Sequence, residues 1–304
     1  MDAIQIYGGN CLHGQVRIQG SKNAVLPILA AALLIDGVCE IENCPAISDV
    51  YHMLRLMESL CCTIDRNGHT VRVDAAGVSR CDMPPDSVGV MRSSIMLLGA
   101  LLARTGSVSM QYPGGCVIGS RPIDLHLEGL RKMCVVIRER EDGFDAETKG
   151  LTGAVHRLPI VSVGATENLV LAAVLANGNT VIENAAKEPE ITALCDFLIK
   201  AGAKIEGVGT KRLCIRGVEK LHEVSYKVPA DRIVAGTYLM SVLGTGGNIF
   251  LEDAPVSQMQ SMLKTAEEIG AQVHISREGL SVIAGEALRP VPYIKTEVYP
   301  GFPT

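Results

Sequence analysis

The sequence predicts an α/β fold in which one helix–strand unit recurs along the chain. Of the 304 residues, 47% are apolar but only 4% are aromatic, and tryptophan is absent. Such a core must consist of Ala, Val, Ile and Leu, which suits repeated helix–strand packing better than an antibody-like sandwich. Glycine breaks also recur at nearly equal spacing, and each follows an apolar helical pattern and precedes a β-rich run.

The repeat is visible in four aligned segments. Their glycines, 69, 72 and 69 residues apart, are Gly37, Gly106, Gly178 and Gly247. The segments read AALLIDGVCEIEN (31–43), ALLARTGSVSMQY (100–112), AAVLANGNTVIEN (172–184) and MSVLGTGGNIFLED (240–253). Ordinary α/β alternation also gives helix–Gly–strand patterns, but the spacing and the IEN/IEN/LED match favour a true repeat whose units pack on one another.

A second break follows the next helix of each unit. Gly202 and Gly270 occupy it in the last two units, where glycine fits the left-handed residue that ends a helix. Cys61 and Cys134 stand at this place in the first two units. A cysteine in the left-handed conformation is strained by roughly 1 kcal/mol, and the sequence does not explain this departure.

Composition argues against several classes of protein. The net charge is −5 without a basic run, which disfavours nucleic-acid binding. The start MDAIQIYGGN does not resemble a secretory signal, and the apolar run 24–35 is too short for a membrane span. Ten cysteines without metal-ligand spacing indicate reduced thiols in the cytoplasm, most of them small core residues.

Lys22 comes first among the candidate functional residues. It follows Gly20 and Ser21 and opens an apolar helical pattern. A cation at a helix N-terminus is unfavourable unless an anion also binds there. Taken alone, Lys22 fits a solvated surface lysine better than an anion site, and the glycine spacing excludes a P-loop.

Two arginines repeat this arrangement. Arg92 starts the apolar pattern of MRSSIMLL, and Arg121 is expected to begin the helix of RPIDLHLEGL. Three cations at three helix starts indicate a site for phosphate or carboxylate, since guanidinium groups bind such anions with paired donors.

Cys116 differs in its context from the other cysteines. It follows two glycines in YPGGCVIGSRP, which indicates an exposed loop next to Arg121. A nearby guanidinium lowers the pKa of a thiol and favours the thiolate needed for nucleophilic or acid–base chemistry. Asp124, three residues after Arg121, shares its helical face and would either bind a sugar hydroxyl or pair with the arginine.

Three further helix starts carry polar residues. The turn at residues 162–168 (SVGATEN) offers backbone N–H groups to an anion, or is simply a capped helix. Glu188 and Glu190, in EPEI, and Asp231, in ADRI, are first interpreted as capping acids.

These motifs together resemble the UDP-N-acetylglucosamine 1-carboxyvinyltransferase family of enolpyruvyl transferases. The matching segments are GSKNAVLPILAAALL, MRSSI, PGGCVIGSRPIDLHLEGL, SVGATEN, IENAAKEPEI, PADRI and YPGFPT. The resemblance implies two inside-out α/β barrels built from βαβαββ repeats. It implies transfer of enolpyruvate from phosphoenolpyruvate to the 3′-hydroxyl of UDP-N-acetylglucosamine, the first committed step of peptidoglycan synthesis, without metal or organic cofactor.

The resemblance also implies roles for individual residues. Lys22 and Arg121 would hold the phosphate and carboxylate of phosphoenolpyruvate, and Asn23 and Arg92 would position the nucleotide sugar. Cys116 would protonate the enolpyruvate methylene, form an adduct with it and be alkylated by fosfomycin. The remaining UDP-sugar residues would be Pro122, Ile123, Asp124, Leu125, Ile160, Val161, Ser162, Val163 and Gly164. Some members of the family carry lysine in place of Ile160, so a side-chain contact there does not follow.

By the same resemblance, residues 22–228 form a continuous barrel domain that carries the cysteine loop. Residues 1–21 and 229–304 form a second, discontinuous barrel domain. The family places an acidic base directly after PGFPT, where this sequence ends. We therefore expect the second barrel to lack its C-terminal part and the 304 residues alone to turn over poorly.

Two alternatives stay open. A shikimate 3-phosphate enolpyruvyl transferase would share the repeat and the cations but lack the PGGC loop. A non-catalytic protein that binds nucleotide sugars would bind UDP-N-acetylglucosamine without turnover. Neither nucleic acid nor membrane is expected as a partner, and the sequence does not give the oligomeric state.

Overall fold

The computed structural model describes residues 3–78, 92–112, 123–285 and 288–302. The chain divides into two compact units, residues 1–21 with 229–304 and residues 22–228. The α-helices in the described ranges are α1 (Lys22–Ala32), α2 (Ser48–Ser59), α3 (Leu97–Thr105), α4 (Asp124–Lys132), α5 (Val163–Ala173), α6 (Pro189–Lys200), α7 (Arg232–Thr245) and α8 (Gln260–Ile269). Two short 3₁₀ helices cover Arg92–Met96 and Val256–Gln258.

The strands complete each repeat. They are β1 (Leu12–Arg17), β2 (Ile35–Glu42), β3 (Thr63–Asn67), β4 (Thr70–Asp74), β5 (Ser107–Gln111), β6 (Val136–Glu139), β7 (Gly143–Glu147), β8 (Val155–Arg157), β9 (Asn179–Glu183), β10 (Lys204–Glu206), β11 (Arg212–Arg216), β12 (Leu221–Lys227), β13 (Gly247–Glu252), β14 (Gln272–Ile275) and β15 (Gly279–Ile283).

Four sheets share one strand order, which confirms the repeat seen in the sequence. After each glycine break come a strand, a helix and two further strands. The last of these strands lies between the other two and pairs antiparallel with both. The orders are β2–β4–β3, β5–β7–β6, β9–β11–β10 and β13–β15–β14. A parallel strand is added beside the first strand in three of them, β12 beside β2, β8 beside β9 and β1 beside β13.

The core of residues 22–228 is built from fully buried helices and from inward-facing strand residues such as Ile41 and Val73. Residues 24–32 of α1 and 165–173 of α5 are all buried, as expected of helices that are apolar on every side. The strands alternate between buried and more exposed side chains, for example in β4 and β11, so that one face of each sheet points outward. Helices inside and sheets outside are the inside-out α/β arrangement expected from the resemblance.

The other unit repeats this pattern once. Helices α7 and α8 pack on the sheet β1–β13–β15–β14, and their core includes Leu239, Leu251, Met262 and Val282. The chain leaves this unit after Ser21 and returns at Pro229. These two crossings are hydrogen-bonded to each other, because the Ser21 N–H donates to the Pro229 carbonyl at 2.8 Å.

The IEN/IEN/LED match marks a conserved geometry within the repeat. The last residues of the three motifs, Asn43, Asn184 and Asp253, all have left-handed φ values between 55° and 60°. The amides of Asn43 and Asn184 donate to the carbonyls of Val228 and Leu158, which directly follow the added strands. Asp253 accepts from Arg17 at the end of β1. Each motif therefore fastens the added parallel strand of its sheet.

The second break also has the expected backbone. Gly202 and Gly270 have φ of 106°, and the cysteines in the same place, Cys61 and Cys134, have φ of 70° and 67°. The strain that the sequence indicates at these two cysteines is therefore present.

Within the described residues, no helix is both long and apolar enough to cross a bilayer. The same part of the chain holds no group of three or more His, Cys, Asp or Glu side chains arranged for a metal ion.

Candidate functional site

Lys22 is the first residue of α1, as the sequence predicts. Its side chain is half exposed and lies 3.5 Å from the Asp49 carboxylate on α2. Asn23 is half-buried, and the helix is fully buried from Ala24 onward. The start of α1 thus presents a cation and an amide at the edge of an apolar core, and α1 packs against the 3₁₀ helix that begins at Arg92.

Arg92 also begins a helix, the 3₁₀ segment that leads into α3. The structure describes its backbone but not its side chain, so the direction of the guanidinium stays a prediction. Burial begins at Ser94 and Ile95, directly after it. Arg92 therefore stands, like Lys22, where a helix enters the core.

Cys116, Arg121 and Pro122 lie outside the described residues, so their predicted roles are untested. The last described residue before them, Tyr112, is held by a hydrogen bond. The Tyr112 hydroxyl donates to Glu139 at 3.2 Å, and Arg131 donates to the same carboxylate at 2.6 Å. The hydrogen bond from Arg131 is the first cause that lowers the pKa of Glu139, and desolvation followed by Glu139 raises that of Tyr112.

The helix after the cysteine segment, α4, begins at Asp124 with Ile123 as its N-cap, so the prediction that Arg121 begins this helix is wrong. Ile123 is buried, Asp124 is exposed and Leu125 is half-buried. His126 is buried with only 6% of its surface accessible. Asp124 is thus available to a ligand at the start of α4, as the resemblance implies, while its expected pairing with Arg121 lies outside the described residues.

The segment from Ile160 to Gly164 comprises the three residues before α5, of which Ser162 is the last, and the first two residues of the helix. Ile160 is 65% exposed, whereas Val161, Ser162, Val163 and Gly164 are half-buried. Ser162 is the N-cap, and its Oγ accepts from the Ala165 N–H at 3.3 Å. This is the capped helix that the sequence left as an alternative to an anion site, and a cap of this kind satisfies only part of the free N–H groups.

The starts of α4 and α5 meet at His126. A Cβ added to Gly164 would lie 3.1 Å from Cε1 of the His126 ring. Two of the predicted binding segments, residues 123–125 and 160–164, are therefore neighbours. Two adjacent helix N-termini offer backbone N–H groups and a favourable field to an anion such as a diphosphate.

The prediction of capping acids is confirmed at one helix and wrong at another. Asp231 caps α7 and accepts from the N–H groups of Ile233 and Val234 at 2.8 and 3.1 Å. Glu188 occupies the N-cap position of α6 but makes no side-chain bond into the helix. Its carboxylate turns back and accepts from the Lys187 N–H at 2.9 Å instead of from the N–H groups of the first helical turn.

The interpretation of most cysteines as core residues needs correction. Among those described, four are buried, namely Cys39, Cys44, Cys62 and Cys195. Cys11, Cys61 and Cys134 are exposed. Two of the exposed thiols stand in the left-handed break after a helix, and Cys214 is half-buried.

Sequence reasoning missed a group of buried polar residues in α4 and α5. Glu167 is 1% exposed, and its Oε2 has no hydrogen-bond partner in the described part of the chain. Burial, then Glu190 and Glu188, raises the pKa of Glu167 well above its usual value. Asn168 is fully buried and its side chain contacts His126 and the segment after Arg92. The sequence predicts a turn at residues 162–168, whereas the structure places Glu167 and Asn168 inside α5.

Comparison with known proteins gives consistent relatives. The family model of EPSP synthase (3-phosphoshikimate 1-carboxyvinyltransferase) matches residues 6–304. The whole chain aligns with 73% of UDP-N-acetylglucosamine 1-carboxyvinyltransferase 2 from Caldanaerobacter subterraneus subsp. tengcongensis, with 42% identity. It aligns equally with 73% of UDP-N-acetylglucosamine 1-carboxyvinyltransferase from Saccharophagus degradans, with 45% identity.

Solved structures agree on the fold. The enolpyruvyl transferase NikO from Streptomyces tendae superposes with a TM-score of 0.86 over 97% of this chain and 71% of its own, at 24% identity. EPSP synthase from Acinetobacter baumannii superposes with a TM-score of 0.72 over 93% of this chain and 67% of its own, at 19% identity. At these identities the likeness concerns the fold alone.

Proposed function

Since the chain belongs to the UDP-N-acetylglucosamine 1-carboxyvinyltransferase family of enolpyruvyl transferases, we propose that residues 22–228 bind the substrates of that reaction. The acceptor is UDP-N-acetylglucosamine and the donor is phosphoenolpyruvate. The identity of 42–45% to two proteins of this name, over the whole of this chain and 73% of each relative, supports the assignment.

The reaction replaces one bond at C2 of phosphoenolpyruvate by another. The 3′-hydroxyl of the sugar adds to C2 while a proton is added to the methylene carbon. The resulting tetrahedral intermediate then loses a methyl proton and inorganic phosphate, which leaves the carboxyvinyl ether. Both substrates carry several negative charges, so fixed cations stabilise the complex without reorganisation during the reaction.

Lys22, Arg92 and Arg121 supply these cations. Lys22 and Arg121 bind the phosphate and carboxylate of the donor, whereas Arg92 and Asn23 orient the nucleotide sugar. Supporting this, Lys22 and Arg92 begin helices that contact each other. A cation at the start of a buried helix has a fixed backbone position, so the charge is held near the site before the anion binds.

Cys116 is the proposed acid. Its thiol donates the proton to the methylene carbon, and as thiolate it is the group that fosfomycin alkylates. The proposal assigns to the segment that carries Cys116 the exclusion of water from the bound substrates. Tyr112, immediately before this segment, is fastened by Glu139.

The structural observation that carries the acceptor site is the contact between the starts of α4 and α5. Asp124 is exposed at one start and Ser162–Gly164 form the other. Pro122, Ile123, Leu125, Ile160, Val161 and Val163 complete the proposed UDP-sugar site. The proposed setting is the bacterial cytoplasm, at the first step toward peptidoglycan.

Calorimetric titration of the 304-residue chain with UDP-N-acetylglucosamine tests the acceptor. We expect saturable binding that Asp124→Ala weakens by about tenfold, since one charged hydrogen bond is worth roughly 1.5 kcal/mol. Glu128→Ala, on the exposed face of the same helix, is the matched control. Absence of binding at millimolar nucleotide sugar would refute the acceptor assignment.

Intact-mass analysis with fosfomycin tests the thiol. One adduct is expected, and it should be absent from Cys116→Ser but present in Cys134→Ser, which removes another exposed cysteine. Labelling that survives in Cys116→Ser would exclude Cys116 as the reactive group.

The second candidate, transfer to shikimate 3-phosphate, is favoured by the description of the matching family model. It predicts that shikimate 3-phosphate binds in the same titration and competes with the nucleotide sugar. Binding of UDP-N-acetylglucosamine alone would exclude it.

A further inference from the structure

The side-chain amide of Asn168 is inserted into the helical segment that begins at Arg92. In a continuous α-helix the Gly99 N–H would donate to the Ile95 carbonyl, four residues earlier. Instead the Gly99 N–H donates to Oδ1 of Asn168 at 2.8 Å, and Nδ2 of Asn168 donates to the Ile95 carbonyl at 3.0 Å. The amide replaces one backbone bond at the junction of the 3₁₀ helix and α3, and an insertion of this kind sets the direction of a helix.

The same amide reaches a third segment. Nδ2 of Asn168 lies 2.9 Å from Nδ1 of His126 on α4. An amide nitrogen only donates, so Nδ1 accepts and the neutral ring carries its proton on Nε2. The ring in turn lies against Gly164 at the start of α5. One side chain thus connects the segment after Arg92, the start of α4 and the start of α5.

Packing leaves this amide no alternative position. Asn168 is 0% exposed and His126 6%. A flipped amide would place oxygen against the Ile95 carbonyl and nitrogen against the Gly99 N–H, so the observed orientation alone satisfies both. A Cβ on Gly99 would lie 2.3 Å from the Asn168 carbonyl oxygen, and hence glycine is required for the two helices to approach so closely.

We propose that Asn168 is a positioning residue, whose buried amide fixes the Arg92 segment, the start of α4 and the start of α5 at Ser162–Gly164 in one geometry. It touches no substrate and acts through these three segments. The inference rests on the proposed function, because only there are Arg92, Asp124 and Ser162 substrate-binding residues.

Nuclear magnetic resonance of the 304-residue chain tests the connection itself. In the wild type, long-range ¹H–¹⁵N spectra should find the His126 proton on Nε2. Asn168→Asp replaces the donor by an acceptor, and His126 should then carry a proton on Nδ1. Amide shifts of residues 94–99, 124–126 and 162–164 should all change in this variant.

A second variant separates the arms of the network. His126→Phe keeps a ring but removes Nδ1, so it should shift residues 124–126 and 162–164 and leave 94–99 in place. Asn43→Ala is the control, since Asn43 lies in the same unit and also donates to a distant carbonyl, that of Val228, but takes no part in this network. It should leave all three segments unchanged.

Calorimetry with UDP-N-acetylglucosamine adds the functional readout. We expect Asn168→Asp to weaken binding roughly tenfold or more, because misplacing binding groups by about 1 Å has effects of up to a hundredfold. Asn43→Ala should lower the unfolding midpoint in urea yet keep the wild-type affinity.

The outcomes distinguish the two hypotheses. If the wild type does not bind the nucleotide sugar, the proposed function fails, while the tautomer and the shifts still decide whether Asn168 fixes the three segments. If Asn168→Asp leaves the His126 tautomer or the three sets of shifts unchanged, the positioning role is wrong. It is also wrong if Asn168→Asp and Asn43→Ala both lose affinity for the nucleotide sugar in proportion to their loss of stability in urea.

Discussion

The Lys22 ammonium group lies 3.5 Å from a carboxylate oxygen of Asp49, so the cation at the start of α1 already has an acidic neighbour on α2. Both side chains are more than a third exposed, and such a pair contributes at most about 1 kcal/mol to stability. Its larger effect is on ligands, because Asp49 competes with any anion that approaches Lys22.

Replacing Asp49 by Asn should therefore strengthen the binding of phosphoenolpyruvate about fivefold at low ionic strength, equivalent to roughly 1 kcal/mol of removed repulsion. Titration in the presence of UDP-N-acetylglucosamine measures this. The gain should shrink as salt is added and be absent in the Lys22→Ala background. Weaker binding by Asp49→Asn would mean that Asp49 supports the site instead of competing with it.

His156 predicts sensitivity to acid. It is 2% exposed on β8, both ring nitrogens lack partners in the described part of the chain, and burial followed by Lys132 lowers its pKa to about 4. The unfolded chain binds a proton near pH 6.5 and the folded chain only near pH 4, so stability is complete above pH 6.5 and falls between these values. The loss is about 3 kcal/mol by pH 4.

His156→Leu should remove this part of the acid sensitivity, measured by urea unfolding at pH 7 and pH 4.5. It should also be more stable than the wild type at pH 7, by about 1 kcal/mol, because two unsatisfied buried nitrogens are removed. The control is His52→Gln, which changes an exposed histidine on α2. An unchanged slope of stability against pH in His156→Leu would contradict the assignment.

Glu167 predicts the opposite pH dependence. Because its pKa is raised in the folded state, chiefly by burial, the unfolded chain releases the proton first and stability falls as pH rises above 4.5. Glu167→Gln should abolish this fall and be more stable than the wild type at pH 7, because the amide carries no charge to be buried. Glu128→Gln, on the exposed face of α4, should follow the wild type throughout. A variant that keeps the wild-type slope would show that Glu167 is ionised in the folded protein.

The strained cysteines give a prediction about the backbone. Cys61→Gly relieves a left-handed residue with φ of 70° and should stabilise the protein by up to about 1 kcal/mol. Cys134→Gly should gain less, because it also loses the contact of 3.0 Å between its sulfur and the Thr152 hydroxyl. The reverse change, Gly202→Ala at φ 106°, should destabilise by a similar amount. If Cys61→Gly and Cys134→Gly destabilise the protein as much as Gly202→Ala does, this account is wrong.

Most of the fold was predictable because each repeat carries its own local markers. The glycines at positions 37, 106, 178 and 247 all have left-handed φ values. This backbone conformation explains why glycine recurs at the same place in each repeat. Lys22, Arg92 and Ser162 were identified because capping and helix starts depend on neighbours in sequence.

The network around Asn168 could not be predicted in this way. Its partners Gly99 and Ile95 lie 69 and 73 residues away, and their free backbone groups exist only because the helix is interrupted there. A single asparagine in an apolar helix has no local pattern that distinguishes a solvent-facing residue from a buried connector. The prediction of burial was wrong at Cys61 and Cys134 for a related reason. Small apolar residues belong to the core only where the backbone turns them inward, and both thiols are exposed.

The hydrogen bond between Ser21 and Pro229 holds the two chain crossings side by side, so residues 22–228 are inserted into the other unit at a single place. Among the described residues, the hydrophobic core of this inserted portion consists of residues within these limits. We therefore expect a short peptide that joins residue 228 to residue 22 to be tolerated, as in a circularly permuted chain.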